Sequence, residues 1–307
     1  MTTSKLQSPS RATARKGPNR SKVVAAIVMV LCALLGLGIL LYPVVATQMN
    51  NWEQSKLARQ FSDDSSAVSP EQASAALAEA RAFDEAQTGV SLEDPWSSGV
   101  PTESEAYQQY LKVLDDFPAM GQIAIPSINV NLPIYHGTSD TTLLKGVGHL
   151  FGTALPLGGE GRRTVLTAHS GIENSTFFDN LEDVQVGDAI FIRNIGETLK
   201  YEVRDIEVIL PDQLDRLAPE EGRDLVTLVT CTPYGINTHR LLVTAERVDF
   251  DPSEAEQALG GDALVWQWWM KLAIGAALAL ILLMLLGAFR LARKRRRTAA
   301  ERGVHES

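Results

Sequence analysis

Cys231 closes the run Leu225-Val226-Thr227-Leu228-Val229-Thr230-Cys231, in which every residue is apolar or β-branched. Such a run reads as a buried strand that delivers a thiol at its tip. Thr232-Pro233-Tyr234-Gly235 follows as turn chemistry, and Arg240-Leu241-Leu242-Val243-Thr244-Ala245 is a second strand-like run. If the two runs pair, Arg240 returns close to Cys231. His169 ends a third run, Thr164-Val165-Leu166-Thr167-Ala168, and opens the turn at Ser170-Gly171. A rigid strand end of this kind presents its side chain to a cleft.

These three residue types together suit acyl transfer. A thiol is a weak nucleophile until deprotonated, and a nearby imidazolium or guanidinium favours the thiolate. Attack on an amide creates an oxyanion, which the guanidinium of Arg240 can stabilise. The imidazole of His169 can protonate the departing amine and deprotonate the incoming one. Cys32 lies inside an apolar run near the N-terminus, so a disulfide within the central segment is excluded. The plainer reading of a lone cysteine is a small buried hydrophobe. Of the other histidines, His149 sits in the loop Gly146-Val147-Gly148-His149-Leu150 and reads as a structural hydrogen-bonding residue. His239 adjoins Arg240 and faces the opposite side of the same strand.

The elements that must position these groups are short strands. From Gly121 the pattern turns to β, with Gln122 to Ile125 alternating and Asn131 to Tyr135 continuing after a break at Pro126. The prolines suggest edges or bends. Further strands are expected at Thr164 to Ala168, Ala189 to Arg193, Leu199 to Leu210, Leu225 to Cys231 and Arg240 to Val248. Many short strands separated by turn signals predict a closed barrel or a sandwich, mainly β in class. Helices precede the strands. Ser69-Pro70-Glu71-Gln72 has the form of a capped helix start, and the alanine-rich run continues to Gln87. A second helix is expected from Glu105 to Leu114, with Tyr107, Tyr110, Leu111 and Leu114 on one face. Between them, Gly89 to Pro101 is a breaker-rich loop holding Asp94-Pro95-Trp96.

The net charge of −9 is unevenly distributed. The first 22 residues carry Lys5, Arg11, Arg15, Lys16, Arg20 and Lys22 and no acid, and the tail from Arg290 is also basic. In the segment between them, acidic residues outnumber basic ones by more than two to one. That balance argues against nucleic acid or an anionic membrane surface as a partner. Val23 to Val45 would span roughly 35 Å as a helix, enough for a hydrocarbon core. A cleaved signal peptide is the competing reading. Leu272 to Phe289, preceded by Trp266, Trp268 and Trp269 and followed by arginines and lysines, reads as a second span with an aromatic belt. The basic flanks place both termini in the cytoplasm and the intervening segment outside.

At Thr227, Leu228, Thr230, Cys231, the downstream Arg240 and the upstream His169, the chain resembles the sortase family, the membrane-anchored cysteine transpeptidases of Gram-positive bacteria. Finer features resemble class C, the pilin-polymerising sortases. These are the stretch from Thr230 to Val243, an apolar helix after the barrel, and Asp94-Pro95-Trp96, which is similar to that class's lid motif. The resemblance implies a sortase β-barrel with His169, Cys231 and Arg240 catalytic and Asp94 and Trp96 in a lid over the cleft. In that arrangement Trp96 covers Cys231 and Asp94 pairs with Arg240. It implies cleavage of an LPXTG-type sorting signal through a thioester, then attack by a pilin lysine to give an isopeptide bond. The partners are exported pilins or other surface proteins bearing such signals, together with the lipid bilayer. No cofactor and no metal are expected; the acidic run at Asp179, Glu182 and Asp183 reads as solvated surface. The implied organisation is a basic tail at 1–22, a transmembrane helix at 23–45 and a helical region with the lid at 46–120. The barrel follows at 121–250, then a linker and interfacial segment at 251–271, a second transmembrane helix at 272–289 and a basic tail at 290–307. The rival readings are a housekeeping sortase that transfers the acyl group to a cell-wall precursor and a non-catalytic, membrane-tethered adhesion or scaffold module.

Overall fold

The computed structural model describes residues 20–87, 92–96, 102–261 and 265–304. The Gly89 to Pro101 loop is therefore described only at residues 92–96, and the first basic tail lies almost wholly outside the described residues. Eight strands form a closed barrel. They are β1 (Gly121–Ile125), β2 (Val130–His136), β3 (Val147–His149), β4 (Arg162–Thr167), β5 (Ala189–Arg193), β6 (Thr198–Ile209), β7 (Asp224–Thr232) and β8 (His239–Val248). The order around the barrel is β1-β2-β3-β4-β7-β8-β6-β5, with β5 returning to β1. The pairs β2–β3 and β4–β7 are parallel, and the remaining pairs are antiparallel.

Alternation along the strands sorts side chains to two faces. Val226 and Leu228 of β7, Leu166 of β4 and Val243 and Ala245 of β8 belong to the main core inside the barrel. Val229, Val165, Leu242, Ile209 and Leu217 form a second cluster with Leu150, and Leu92 and Trp96 pack on it. Burial on both faces explains why β7 reads as a continuous apolar run rather than an alternating one. Cys231 shares the parity of Val229, and Arg240 that of Leu242, so both side chains issue on the face of this second cluster.

A barrel, not a sandwich, resolves the alternative left by the sequence. The prolines fall at a bend and at a locally unpaired side of a strand. Pro126 opens a single 3-10 turn, Pro126–Ile128, between β1 and β2. Pro133 lies within β2, but β2 pairs with β3 only from Ile134 onward, so Pro133 sits where the strand has a single neighbour.

The helices begin where their caps predict. Helix α1 spans Arg20–Ser66 and continues through Pro43. The Ser69 side chain accepts from the Gln72 amide at the start of α2 (Pro70–Ala86). Leu77 and Ala80 of α2 are buried in the main core, and Asp84 accepts from the Leu155 amide. Helix α3 (Glu105–Tyr110) ends four residues before the predicted Leu114. Its last turns tighten into shorter-range bonds, Lys112 N–H to Gln109 O and Val113 N–H to Tyr110 O, before Leu114 turns to a positive φ of 56°. Asp140–Leu143 forms the short helix α4. The stretch read as a linker carries helix α5 (Pro252–Gly260), whose Ala255 and Leu259 pack on Ala124 and Phe191 of the barrel. The Leu259 carbonyl accepts from the buried amides of Gln122 and Asn131. That polar anchor left no signal in the hydrophobic pattern.

The chain divides into two units, residues 43–271 and the flanking residues 1–42 with 272–307. Val24–Ser66 of α1 and Trp268–Arg293 of α6 (Trp268–Val304) are long and apolar enough to cross a membrane.

Candidate active site

Cys231 and Arg240 are direct cross-strand partners on β7 and β8. The turn between them is knitted by Arg240 itself, whose Nη1 donates to the carbonyls of Asn237 and His239 at 3.2 and 3.1 Å. On the other side of β7, β4 runs parallel with Thr167 opposite Val229. Continuing that register brings His169 level with Cys231. The junction is held by Ala168 N–H to Val229 O (3.3 Å), Thr230 Oγ1 to Ala168 O (2.8 Å) and Ser170 Oγ to Cys231 O (2.5 Å). Thiol and guanidinium thus come from β7 and β8, and the imidazole from two residues past the end of the adjacent β4.

The supporting motif residues have separate tasks. Leu228 is fully buried in the core. Thr230 ties β7 to the strand that carries His169. Thr227 accepts from the buried Arg163 at 2.9 Å and pairs with Thr244 across β8 at 3.1 Å. The sequence reading singled out neither Ser170 nor Arg163. Ser170 directly follows His169, which was a usable cue; Arg163 lies in a strand with nothing to distinguish it from a surface arginine.

Asp94 and Trp96 close over this site. Asp94 takes Arg240 in a two-pronged ion pair, Nε to Oδ1 at 2.7 Å and Nη2 to Oδ2 at 2.8 Å, and also accepts from the Trp96 amide at 3.2 Å. The Arg240 guanidinium lies 4.8 Å from the centre of the Trp96 ring. The Trp96 indole N–H donates to His169 Nδ1 at 3.2 Å. An indole only donates, so a neutral His169 carries its proton on Nε2. The expected ion pair forms, and the aromatic ring engages both Arg240 and His169.

The electrostatics follow from burial and from the neighbouring charges. Burial pushes the Cys231 thiol above its usual range; the Arg240 charge opposes this and the Asp94 carboxylate adds to it. Burial also lowers the His169 imidazole, partly offset by Asp140. With Asp94 in place, thiol and imidazole both rest neutral near pH 7.

The other described histidines, His136, His149 and His239, lie elsewhere. His149 is fully enclosed, with Nδ1 on the Tyr110 hydroxyl (2.9 Å) and Nε2 on the Ala154 carbonyl (2.8 Å). His136 bonds the Val113 carbonyl at 2.6 Å. His239 bonds Thr238 at 2.9 Å, and the adjacent Arg240 faces the site. Asp179 and Glu182 of the acidic run lie in one 3-10 turn, Asp179–Asp183, where Glu182 accepts from Thr232 Oγ1 at 2.7 Å and Asp179 from the Gly171 amide at 2.7 Å.

The chain and its closed barrel are similar to known proteins. Residues 123–248 match the sequence model of the Sortase domain. The crystal structure of sortase C-1 from Actinomyces oris is 49% identical, with a TM-score of 0.57 over 59% of this chain and 100% of that one. The pilus-related sortase C of Group B Streptococcus is 38% identical, with a TM-score of 0.58 over 62% of this chain and 97% of that one. Sortase A of Streptococcus agalactiae is 29% identical over 134 residues; that match covers 43% of this chain and 53% of the streptococcal protein, about half its length. The chain belongs to the sortase family.

Proposed function

We propose that the protein is a membrane-anchored cysteine transpeptidase of the pilin-polymerising class, with Cys231, His169 and Arg240 catalytic and Asp94 and Trp96 forming its lid. The observation that carries this reading is the cross-strand pairing of Cys231 with Arg240, with His169 brought level by β4. When the lid lifts, Arg240 loses its carboxylate partner and the Asp94 charge leaves the thiol, so the Cys231 proton passes to the His169 imidazole and leaves a thiolate beside an imidazolium. The thiolate attacks the threonine carbonyl of an LPXTG-type sorting signal, and Arg240 donates to the developing oxyanion. The threonine–glycine C–N bond breaks, protonated His169 gives its proton to the glycine amine, and a thioester remains on Cys231. A lysine amine of the next pilin then attacks the thioester. His169 takes the amine proton, the C–S bond breaks and an isopeptide bond forms.

Similarity to sortase C-1 and to a pilus-related sortase C supports the pilin class over the housekeeping reading. The two apolar helices support membrane anchoring, and the basic flanks argue for cytoplasmic termini with residues 46 to about 265 outside. The test uses the full chain in lipid, incubated with a pilin bearing a sorting signal. Intact-mass spectrometry is expected to show a thioester on Cys231 and then lysine-linked polymers. Cys231→Ala is expected to abolish both while the barrel stays folded. Polymer growth by a folded alanine variant would falsify the assignment, and transfer only to a cell-wall precursor amine would favour the housekeeping alternative.

A further inference from the structure

His169 sits at the start of a loop that is closed at its base and gripped from outside. At the base, Phe178 N–H bonds the His169 carbonyl at 3.1 Å and Gly171 N–H bonds Asp179 Oδ1 at 2.7 Å. Two residues further along hold positive φ without being glycine, Asn174 at 65° and the buried Phe177 at 32°. For a bulky residue such as phenylalanine this backbone region is strained and persists only where the surroundings enforce it.

Phe177 is held in the main core, and α1 bonds the three residues before it. Asn50 Nδ2 donates to the Asn174 carbonyl at 2.8 Å, Asn51 Oδ1 accepts from the Thr176 amide at 3.2 Å, and Gln54 Nε2 reaches Ser175 Oγ at 3.4 Å. The buried face of α1 mixes Val44, Ala58 and Phe61 with a polar majority, Thr47, Asn51, Gln54, Ser55, Ser62 and Ser65. Thr47 Oγ1, Gln48 Oε1, Asn51 Nδ2 and Gln54 Oε1 are buried without hydrogen-bond partners. A face built only to hold the helix down would be apolar, because unpaired buried polar atoms oppose folding. A partly satisfied polar stripe instead fixes one docking register.

We propose that Asn51, assisted by Asn50 and Gln54, is a positioning residue for His169: the helix clasps the 170–178 loop and so fixes where the imidazole stands relative to Cys231. This rests on His169 being the acid–base group of the proposed reaction. Asn51 acts as an acceptor; its own amide nitrogen has no partner. Aspartate retains that acceptor and alanine removes it. A displacement of the imidazole on the ångström scale is felt at the chemical step and not in substrate binding.

The experiment compares the full chain in lipid with its Asn51→Ala, Asn51→Asp, Asn50→Ala and His169→Ala variants on a fluorogenic sorting-signal peptide. Asn51→Ala is expected to lower kcat roughly tenfold to a hundredfold, with KM nearly unchanged and the acid limb of the kcat/KM profile displaced. Alkylation of Cys231 by a small thiol reagent is expected to keep its rate, because β7 is untouched. Asn51→Asp is expected to recover most of the loss. Asn50→Ala, at an exposed position that does not threaten folding, is expected to show a smaller fall of the same kind. A wild-type kcat and pH profile in both alanine variants, beside an inactive His169→Ala, overturns the clasp and leaves the catalytic reading intact. Loss of activity together with faster alkylation, or no recovery with aspartate, reduces Asn51 to a structural residue. An active His169→Ala overturns the reading beneath it.

Discussion

Arg240 is the most heavily engaged residue of the site, bonded to Asp94, to two turn carbonyls and to the face of Trp96. Only the first and last of these belong to the proposed lid, so its lifting would free Nε and Nη2 while Nη1 keeps the side chain aimed. Arg240→Ala is expected to lower kcat on the order of 10²–10³-fold as loss of an oxyanion donor. Lysine is expected to rescue it poorly, since one ammonium cannot both hold the turn and face the oxyanion. His169→Ala should cripple both proton transfers, whereas His239→Ala should be mild; single-turnover acylation and deacylation rates measure each. For the lid, Asp94→Ala with Trp96→Ala is expected to speed modification of Cys231 by a small thiol reagent and to raise peptide turnover, because the closed fraction taxes apparent affinity. Unchanged labelling kinetics in the folded double variant would leave Asp94 and Trp96 as a plain turn.

The elements show why some of this was legible in the sequence and some was not. β7 and β8 announce themselves because an apolar, β-branched run ends at Cys231 in one and begins after Arg240 in the other, and a short turn leaves little freedom in their register. His169 was legible for the same reason. The clasp by α1 was not, since Asn51 and Thr176 are joined across 125 positions by one hydrogen bond. Nor was α5, whose two buried residues are too few to stand out. Helix α3 illustrates a third case: the pattern located Tyr107 and Tyr110 on the buried face but not the site they serve. Tyr110 bonds His149 and accepts from the Gly137 amide, so it joins α3 to β2 and β3. Burial lowers the His149 imidazole from 6.5 to about 4. A group depressed on folding contributes stability that is complete above pH 6.5 and is lost as pH falls through about 4. The loss amounts to about 3 kcal/mol at most. Asp84 and Asp179, raised by burial to about 6 and about 7, have the opposite sign and become less costly in acid. Denaturant melts of wild type against His149→Gln cancel those terms. The wild type is expected to lose more stability than the variant between pH 6.5 and 4, and parallel curves would mean that His149 is not held neutral.

At the scale of the whole molecule, the barrel is flanked in sequence by two helices long and apolar enough to cross a membrane. The proposed topology predicts that protease added to intact cells cleaves within residues 46 to about 265 and leaves both basic ends protected. Cleavage of the ends from outside would reverse the orientation. The barrel also makes the site and its cover unequal in lifetime. The amides of Leu228 and Val229 lie in a strand bonded on both sides, to β4 and β8, and exchange with solvent deuterium only when the barrel opens as a whole. The Trp96 amide is held by one carboxylate oxygen of Asp94, and its indole N–H by His169. The amide bond lies within the proposed lid and moves with it, whereas the indole proton is released from His169 and exchanges each time that lid lifts. Its rate, set against the intrinsic rate of a free indole, therefore reports how often the site is open, with no substrate present and no residue replaced.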